Sequence, residues 1–197
     1  MEAKFEELIE GFVTGNIGIS EDFLSVSLAL GLRQNLLLLN KDSSMVPAGI
    51  GNTLIKDELQ KMRSDKTSWL QDDSKNDAEI EFMDMIRQFM GHLNRTCFTG
   101  LNAFEFHYAL YETGTFYKRH TDQLRYDDNR KFSMITYLNE NWKESDGGQL
   151  VIYQDGAAQQ ISPNNQKAIF FQSDVLEHEV VVAKQSRLSV TGWLKRV

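Results

Sequence analysis

The stretch KFSMITYLNENWKESDGGQLVIYQDGAAQQISPNNQKAIFFQSDVLEHEVVVAKQSRLSVTGWLKR, residues 131–196, sets the architecture. Short runs of β-branched and aromatic residues are broken by turn signals at Asp146–Gly148, Asp155-Gly156 and Pro163–Asn165. They predict strands at 132–139, 149–153, 157–161, 167–172, 178–182 and 187–195. Just upstream, turn residues Glu112–Gly114 and Asp127–Asn129 bound two further runs, 102–111 and 115–122. Short strands in this number, with no helix between them, predict an antiparallel barrel or jelly roll.

Before residue 100 the period changes. Phe5, Leu8, Ile9 and Phe12 recur at helical spacing, and that helix is expected to stop at Gly11–Gly15. Ser20-Glu21-Asp22 reads as the cap of a leucine-rich helix over Phe23–Asn40. Residues 41–55, with Pro47, Gly49 and Gly51, read as a loop or edge segment. A third helix is expected over Asp77–Leu93, packing through Ile80, Met83, Ile86, Phe89, Met90 and Leu93. Asp72, Asp73, Asp77 and Glu79 form its solvated, acidic entrance. Helices first and strands second do not alternate as βαβα. The expectation is therefore an α+β chain that is mostly β: a helical support region over 1–100 packed on a core over 101–197, as one compact domain.

Composition narrows the function. The longest apolar run, Leu36–Leu39, is far short of the ~20 residues that span a bilayer, so no membrane partner is expected. The start MEAKFEELIE is acidic and amphipathic, unlike a signal peptide. The single cysteine, Cys97, can form no internal disulfide; it reads as a small buried filler and points to a cytoplasmic location. Twenty-one Lys and Arg against 28 Asp and Glu leave a net charge of −7, which argues against a nucleic-acid partner. Nothing here bears on oligomeric state.

The chemistry gathers around two of the four histidines. His120 is followed at i+2 by Asp122, and on a strand these positions share a face. His178 opens a later strand and can approach across a barrel. Two imidazoles and one carboxylate on one face form the open triad of a non-heme Fe(II) site, although H-x-D spacing also arises by chance. Nine residues on, Arg187 shares strand parity with Ser189, Thr191 and Trp193, while Leu188, Val190 and Leu194 face the other way. An inward arginine needs an anion: a dicarboxylate cosubstrate gripped by two parallel hydrogen bonds, or a structural partner such as Glu177 or Glu179. Tyr137 can add a phenolic donor. Ile135, Phe170 and Val180 are candidates for the apolar lining. His92 and His107 have no carboxylate at metal spacing and do not read as ligands.

These motifs, in this order, resemble the 2-oxoglutarate- and Fe(II)-dependent dioxygenases, specifically the prolyl 4-hydroxylases. YETGTFYKRHTD (111–122), ITYLNENW (135–142) and GGQLVIY (147–153) carry the likeness. MRSDKTSWL (62–70) is similar to a segment of the oxygen-sensing branch that hydroxylates hypoxia-inducible factor, and of its bacterial relatives. The resemblance spans roughly residues 60–195. It implies a double-stranded β-helix and a reaction giving succinate and carbon dioxide. It further implies His120, Asp122 and His178 as iron ligands, and Arg187 with Tyr137 on 2-oxoglutarate. Tyr111, Tyr117 and Trp193 would be pocket residues, and Asp65 would pair with Arg130 to shape the substrate loops. O2 would be a cosubstrate, ascorbate a supporting reductant, and a prolyl residue of a protein or peptide the substrate. By strand parity Tyr117 points away from His120 unless a bulge intervenes. Two other readings are the same chemistry on a free amino acid or small molecule, and a non-catalytic jelly-roll binding module.

Overall fold

Period-two alternation along the long strands gives each a helix-facing and an inward-facing side, and two layers follow. The computed structural model describes residues 1–49, 62–122 and 128–197. Its helices are α1 (Glu2–Gly15), α2 (Val26–Lys41) and α3 (Asp77–Cys97). Its strands are β1 (Ile17–Ser20), β2 (Val46–Pro47), β3 (Lys66–Trp69), β4 (Ala103–Tyr111), β5 (Tyr117–His120), β6 (Arg130–Tyr137), β7 (Leu150–Gln154), β8 (Ala157–Ile161), β9 (Ala168–Gln172), β10 (Glu177–Val180) and β11 (Arg187–Lys195). The larger sheet has the order β1-β9-β6-β11-β4-β3-β2 and the smaller β5-β10-β7-β8. All of these pairings are antiparallel, so the fold is the expected jelly roll.

The outer face of the larger sheet carries Phe106, Tyr108, Leu110, Met134, Phe170, Leu188, Val190 and Leu194. The helices cover it with Phe5, Leu8, Leu32, Leu36, Phe82, Ile86 and Phe89. Each fully buried side chain of this size contributes about 1.5–3 kcal/mol. The inner face presents Ala109, Tyr111, Ile135, Tyr137, Ile169 and Phe171, which cluster with Leu150, Ile152, Ile161 and Val180 of the smaller sheet. Phe170, expected in the lining, thus packs under the helices. Its neighbour Phe171 points inward, because the register of β9 is one residue away from the expected one.

The eight strands read from the sequence are present with ends shifted by up to two residues. β1, β2 and β3, all within the first 100 residues, were not among them. Helix α1 runs through Gly11 and stops at Gly15, within the expected Gly11–Gly15. A Cβ on Gly11 would lie 3.1 Å from Gly18 Cα, and one on Gly18 would lie 2.1 Å from the Leu8 carbonyl oxygen. The two glycines let α1 and β1 pack backbone to backbone, and β1 then adds to the sheet beside β9. Helix α2 begins at Val26 under Ser25, whose Oγ accepts the Leu28 N–H at 3.1 Å. Phe23 and Leu24 are buried ahead of it as non-helical chain. In α3, Ile80 is 40% exposed while Phe82 and Met85 are buried, and Glu79 is buried too, accepting from Asn35 Nδ2 at 2.6 Å. Cys97 is exposed at the end of α3, not a buried filler. Of the segment read as loop, residues 50–55 lie outside the described residues; so do residues 123–127.

Candidate metal and cosubstrate site

β5 and β10 are neighbours in the smaller sheet, and their register sets His120 opposite His178. Asp122 lies two residues beyond β5, off the strand, and is held by tethers. Its N–H donates to the Ser173 carbonyl at 3.1 Å, and its own carbonyl accepts from Arg130 Nη1 at 3.3 Å. Each histidine is oriented by its own backbone. His120 Nδ1 lies 2.6 Å from the Lys118 carbonyl and His178 Nδ1 lies 3.2 Å from the Leu176 carbonyl. A carbonyl only accepts, so Nδ1 carries a proton in both rings, which leaves Nε2 as the atom each ring can offer to a metal. Both Nε2 atoms face one oxygen, Asp122 Oδ1, at 3.4 and 3.6 Å. The three ligand atoms lie within 4.8 Å of one another.

Electrostatics favour the charged form of Asp122 and the neutral form of His178. Burial alone would push the Asp122 carboxyl up, but His178, His120 and the Ser133 hydroxyl together hold it well below the usual carboxylate range. Burial draws His178 below its ordinary value, against the pull of Asp122. A charged carboxylate and neutral imidazoles are what a divalent metal binds, so the residues present fit an Fe(II) ion.

Tyr117 shows why simple parity fails on β5. His178 pairs with His120 but Val180 pairs with Tyr117, so β5 uses three residues where β10 uses two. That bulge swings Tyr117 onto the His120 face, and the rings stack at 3.5 Å and 14°. Arg63 lies over the same tyrosine at 4.3 Å and is held by Asp65 through a two-pronged ion pair at 2.8 and 2.6 Å. Burial opposes the charge on Arg63, yet the Asp65 carboxylate more than offsets it.

The expected Asp65–Arg130 pair is therefore not formed. Residues i and i+2 of extended chain share a face, which gives Asp65 to Arg63. Arg130 starts β6 opposite Lys195 and binds Glu105 at 2.8 Å, with its guanidinium 3.5 Å from the Trp193 ring centroid.

Arg187 is 1% exposed and pairs across β4 with Tyr111. Its Nε donates to the Gly148 carbonyl at 2.8 Å, while Nη2 and the Tyr137 hydroxyl have no hydrogen-bond partner among the described residues. The guanidinium carbon lies 4.8 Å from the Tyr111 ring centroid and 5.0 Å from that of Tyr137. Neither suggested acidic partner reaches it: Glu177 binds Arg119 and Glu179 accepts from Tyr153 at 2.5 Å. Unpaired buried donors of this kind mark an anion site. The Gly-Gly turn serves that arginine. Gly147 and Gly148 have positive φ, and a Cβ on Gly148 would lie 3.1 Å from Arg187 Cδ.

Between the sheets lies a cavity of about 600 Å³, lined by the three candidate ligands, Tyr111, Tyr117, Ile135, Val180, Arg187 and Trp193 among others. His107 also lines it, stacked on Trp193 at 5.5 Å and tilted against Trp69 at 4.8 Å. Burial, reinforced by Arg63, takes it down to about 3, so it is neutral. It is not a member of the metal group. His92 lies elsewhere, against Glu6 at 2.5 Å. Arg63, His107, Ser133 and Ser173 were not singled out as site residues from the sequence. Strand parity with Tyr137 would have found Ser133, and parity with Tyr111 would have found His107.

The solved structure of a Pseudomonas putida prolyl-4-hydroxylase is similar at 30% identity, over 98% of this chain and 99% of that one, with a TM-score of 0.88. This chain belongs to the 2OG-Fe(II) oxygenase superfamily. Residues 106–195 of the oxygenase match that superfamily's family model. A Trichoplax adhaerens prolyl hydroxylase, solved with a hypoxia-inducible factor oxygen degradation domain peptide, shares the fold at 23% identity and a TM-score of 0.88, covering 98% of this chain and 90% of its own. A viral collagen prolyl hydroxylase from Paramecium Bursaria Chlorella virus-1 does so at 17% and 0.61, covering 93% and 97%. The family uses Fe(II) as its metal, with 2-oxoglutarate and O2 as cosubstrates. No described helix is long and apolar enough to cross a membrane.

Proposed function

We propose that this oxygenase hydroxylates a prolyl residue of a protein or peptide. His120, Asp122 and His178 hold Fe(II), and Arg187 with Tyr137 binds the distal carboxylate of 2-oxoglutarate. One observation carries the reading: two imidazole Nε2 atoms and a carboxylate oxygen converge in the same cavity as a buried guanidinium that pairs with no carboxylate among the described residues. Bound there, Fe(II) supplies the activation of O2 that couples decarboxylation of 2-oxoglutarate, giving succinate and CO2, to oxygen insertion into a C–H bond.

The chain's own residues orient and exclude. Arg187 offers a charged N–H fork, and Tyr137, whose hydroxyl burial pushes up, stays a neutral donor beside it. Tyr111 and Tyr117 form part of the wall; burial keeps Tyr117 protonated, pushed up to about 12. Ile135, Leu150 and Val180 keep water from the reacting centre. Trp193, with Arg130 stacked on it, and Trp69 supply flat faces against which a pyrrolidine ring packs. The prolyl assignment draws on the Pseudomonas putida enzyme, and the peptide assignment also on the peptide-bound Trichoplax one. A reducing cytoplasm suits both Fe(II) and the free Cys97.

The test is anaerobic loading with Fe(II), 2-oxoglutarate and ascorbate, then admission of air with a library of proline-containing peptides. The expected result is one oxygen atom gained on a proline, matched by succinate. Succinate formed without any peptide modification is uncoupled decarboxylation at the expense of ascorbate, and would overturn the prolyl-peptide substrate while leaving the oxygenase chemistry standing. No succinate under any condition overturns the reading.

A further inference from the structure

We infer that Ser133, backed by Ser173, confines Asp122 to one-oxygen ligation and so keeps a metal position open. The inference rests on the metal reading of the His120, Asp122, His178 group.

Both serines are fully buried. Ser133 sits on β6 opposite Phe171 of β9, and Ser173 follows the end of β9. Ser133 Oγ donates to Asp122 Oδ2 at 2.7 Å. A charged carboxylate only accepts, so the hydroxyl proton of Ser133 is committed to it. The Ser133 and Ser173 hydroxyls are 2.9 Å apart, and Ser173 must therefore be the donor between them. The proton direction runs one way, from Ser173 to Ser133 to Asp122. Ser173 also accepts the Asp122 N–H on its backbone carbonyl, so one residue steadies both ends of the aspartate.

The two carboxylate oxygens are thereby divided. Oδ1 faces both imidazoles and Oδ2 is turned to the serine. The division matters because Asp122 lies off the strand, where no ladder fixes its rotation. Three ligands of one atom each would leave positions on a bound Fe(II) open to the cosubstrates, as non-heme oxygenation requires. If Oδ2 swung in, the aspartate would occupy one of those positions. Ser133 acts through Asp122, as a positioning residue, and hydrogen-bond partners of metal ligands set affinity by about 10–100-fold.

The experiment is Mn(II) titration of the whole chain, followed by 2-oxoglutarate titration of the Mn(II)-loaded protein. Ser133→Ala is expected to bind Mn(II) about 10–100-fold more weakly and to lose 2-oxoglutarate affinity on the loaded protein. Ser133→Thr, which keeps the hydroxyl, is expected to restore both. Should Ser133→Ala not fold, Ser173→Ala decides, with a smaller loss in the same direction expected because Ser133 then lacks its own donor. Wild-type Mn(II) and 2-oxoglutarate affinities in folded Ser133→Ala, or in Ser173→Ala where that variant decides, would overturn the inference. Absence of Mn(II) binding by the wild-type chain would instead overturn the metal reading beneath it.

Discussion

Arg187, itself 1% exposed, keeps an N–H group with no partner among the described residues, a state that folding alone does not favour. With 2-oxoglutarate as the missing partner, Arg187→Ala leaves the distal carboxylate buried and unpaired. Such truncations cost roughly 2–5 kcal/mol, so affinity for 2-oxoglutarate should fall at least about tenfold. Calorimetric titration of the metal-loaded variant checks this, and unchanged affinity would make the arginine structural. His107 gives a pH signature of opposite origin. Burial holds it down to about 3 in the folded chain, whereas unfolded it titrates near ~6.5. The unfolded state then takes up the extra proton as pH drops, so the contribution to stability is complete above ~6.5 and is lost as pH falls toward about 3. Urea midpoints for His107→Phe should decline less steeply through that window than wild-type ones; parallel curves would refute the assignment. Arg187 was legible from strand parity because β11 is long and regular. The family likeness points Asp65 at Arg130, whereas i, i+2 parity gives it to Arg63, and nothing in the sequence shows that Glu105 lies beside Arg130.

At the scale of elements, the errors have common physical causes. Gly11–Gly15 reads as a helix stop because glycine usually weakens a helix interior; Gly15 is that stop, while Gly11 is kept inside the helix for contact with β1. β1 itself was invisible: four residues with a glycine inside carry too little alternation to register. The bulge on β5 was foreseen only as a condition, because a two-against-three register depends on the partner strand. Gly18→Ala tests the helix–strand contact. Its Cβ has no room against the Leu8 backbone, and backbone cannot rotate aside as a side chain would. Overpacking of this kind costs about 1–3 kcal/mol or more, so a clear drop in the thermal midpoint is expected. A midpoint equal to wild type would mean that α1 stands off the sheet. The long strands and α3 were legible for the converse reason, as their burial pattern runs over many residues.

For the molecule as a whole, metal binding and folding are linked. Any ion that binds only the native chain stabilises it, by about 2.7 kcal/mol at a hundredfold excess over Kd. For a chain of this size that corresponds to roughly 5–10 °C in midpoint. Mn(II) should raise the melting temperature of the wild-type oxygenase by about that much, on the same reckoning, and leave His178→Ala nearly unmoved. Equal shifts in both would place the ion elsewhere. The division of labour between the sheets has a consequence for selectivity. Arg187 stands on the larger sheet, while His120 and His178 belong to the smaller, and the interleaved Ile135, Leu150, Phe171 and Val180 fix the gap between them. The two sheets therefore act as the jaws of a caliper. With 2-oxoglutarate spanning the two as proposed, a diacid one carbon shorter should fail to touch both jaws, and one a carbon longer should have to buckle between them. Chain-length discrimination among oxo acids should then follow how tightly the hydrophobic filling sets the jaws, more than any single contact to the ligand.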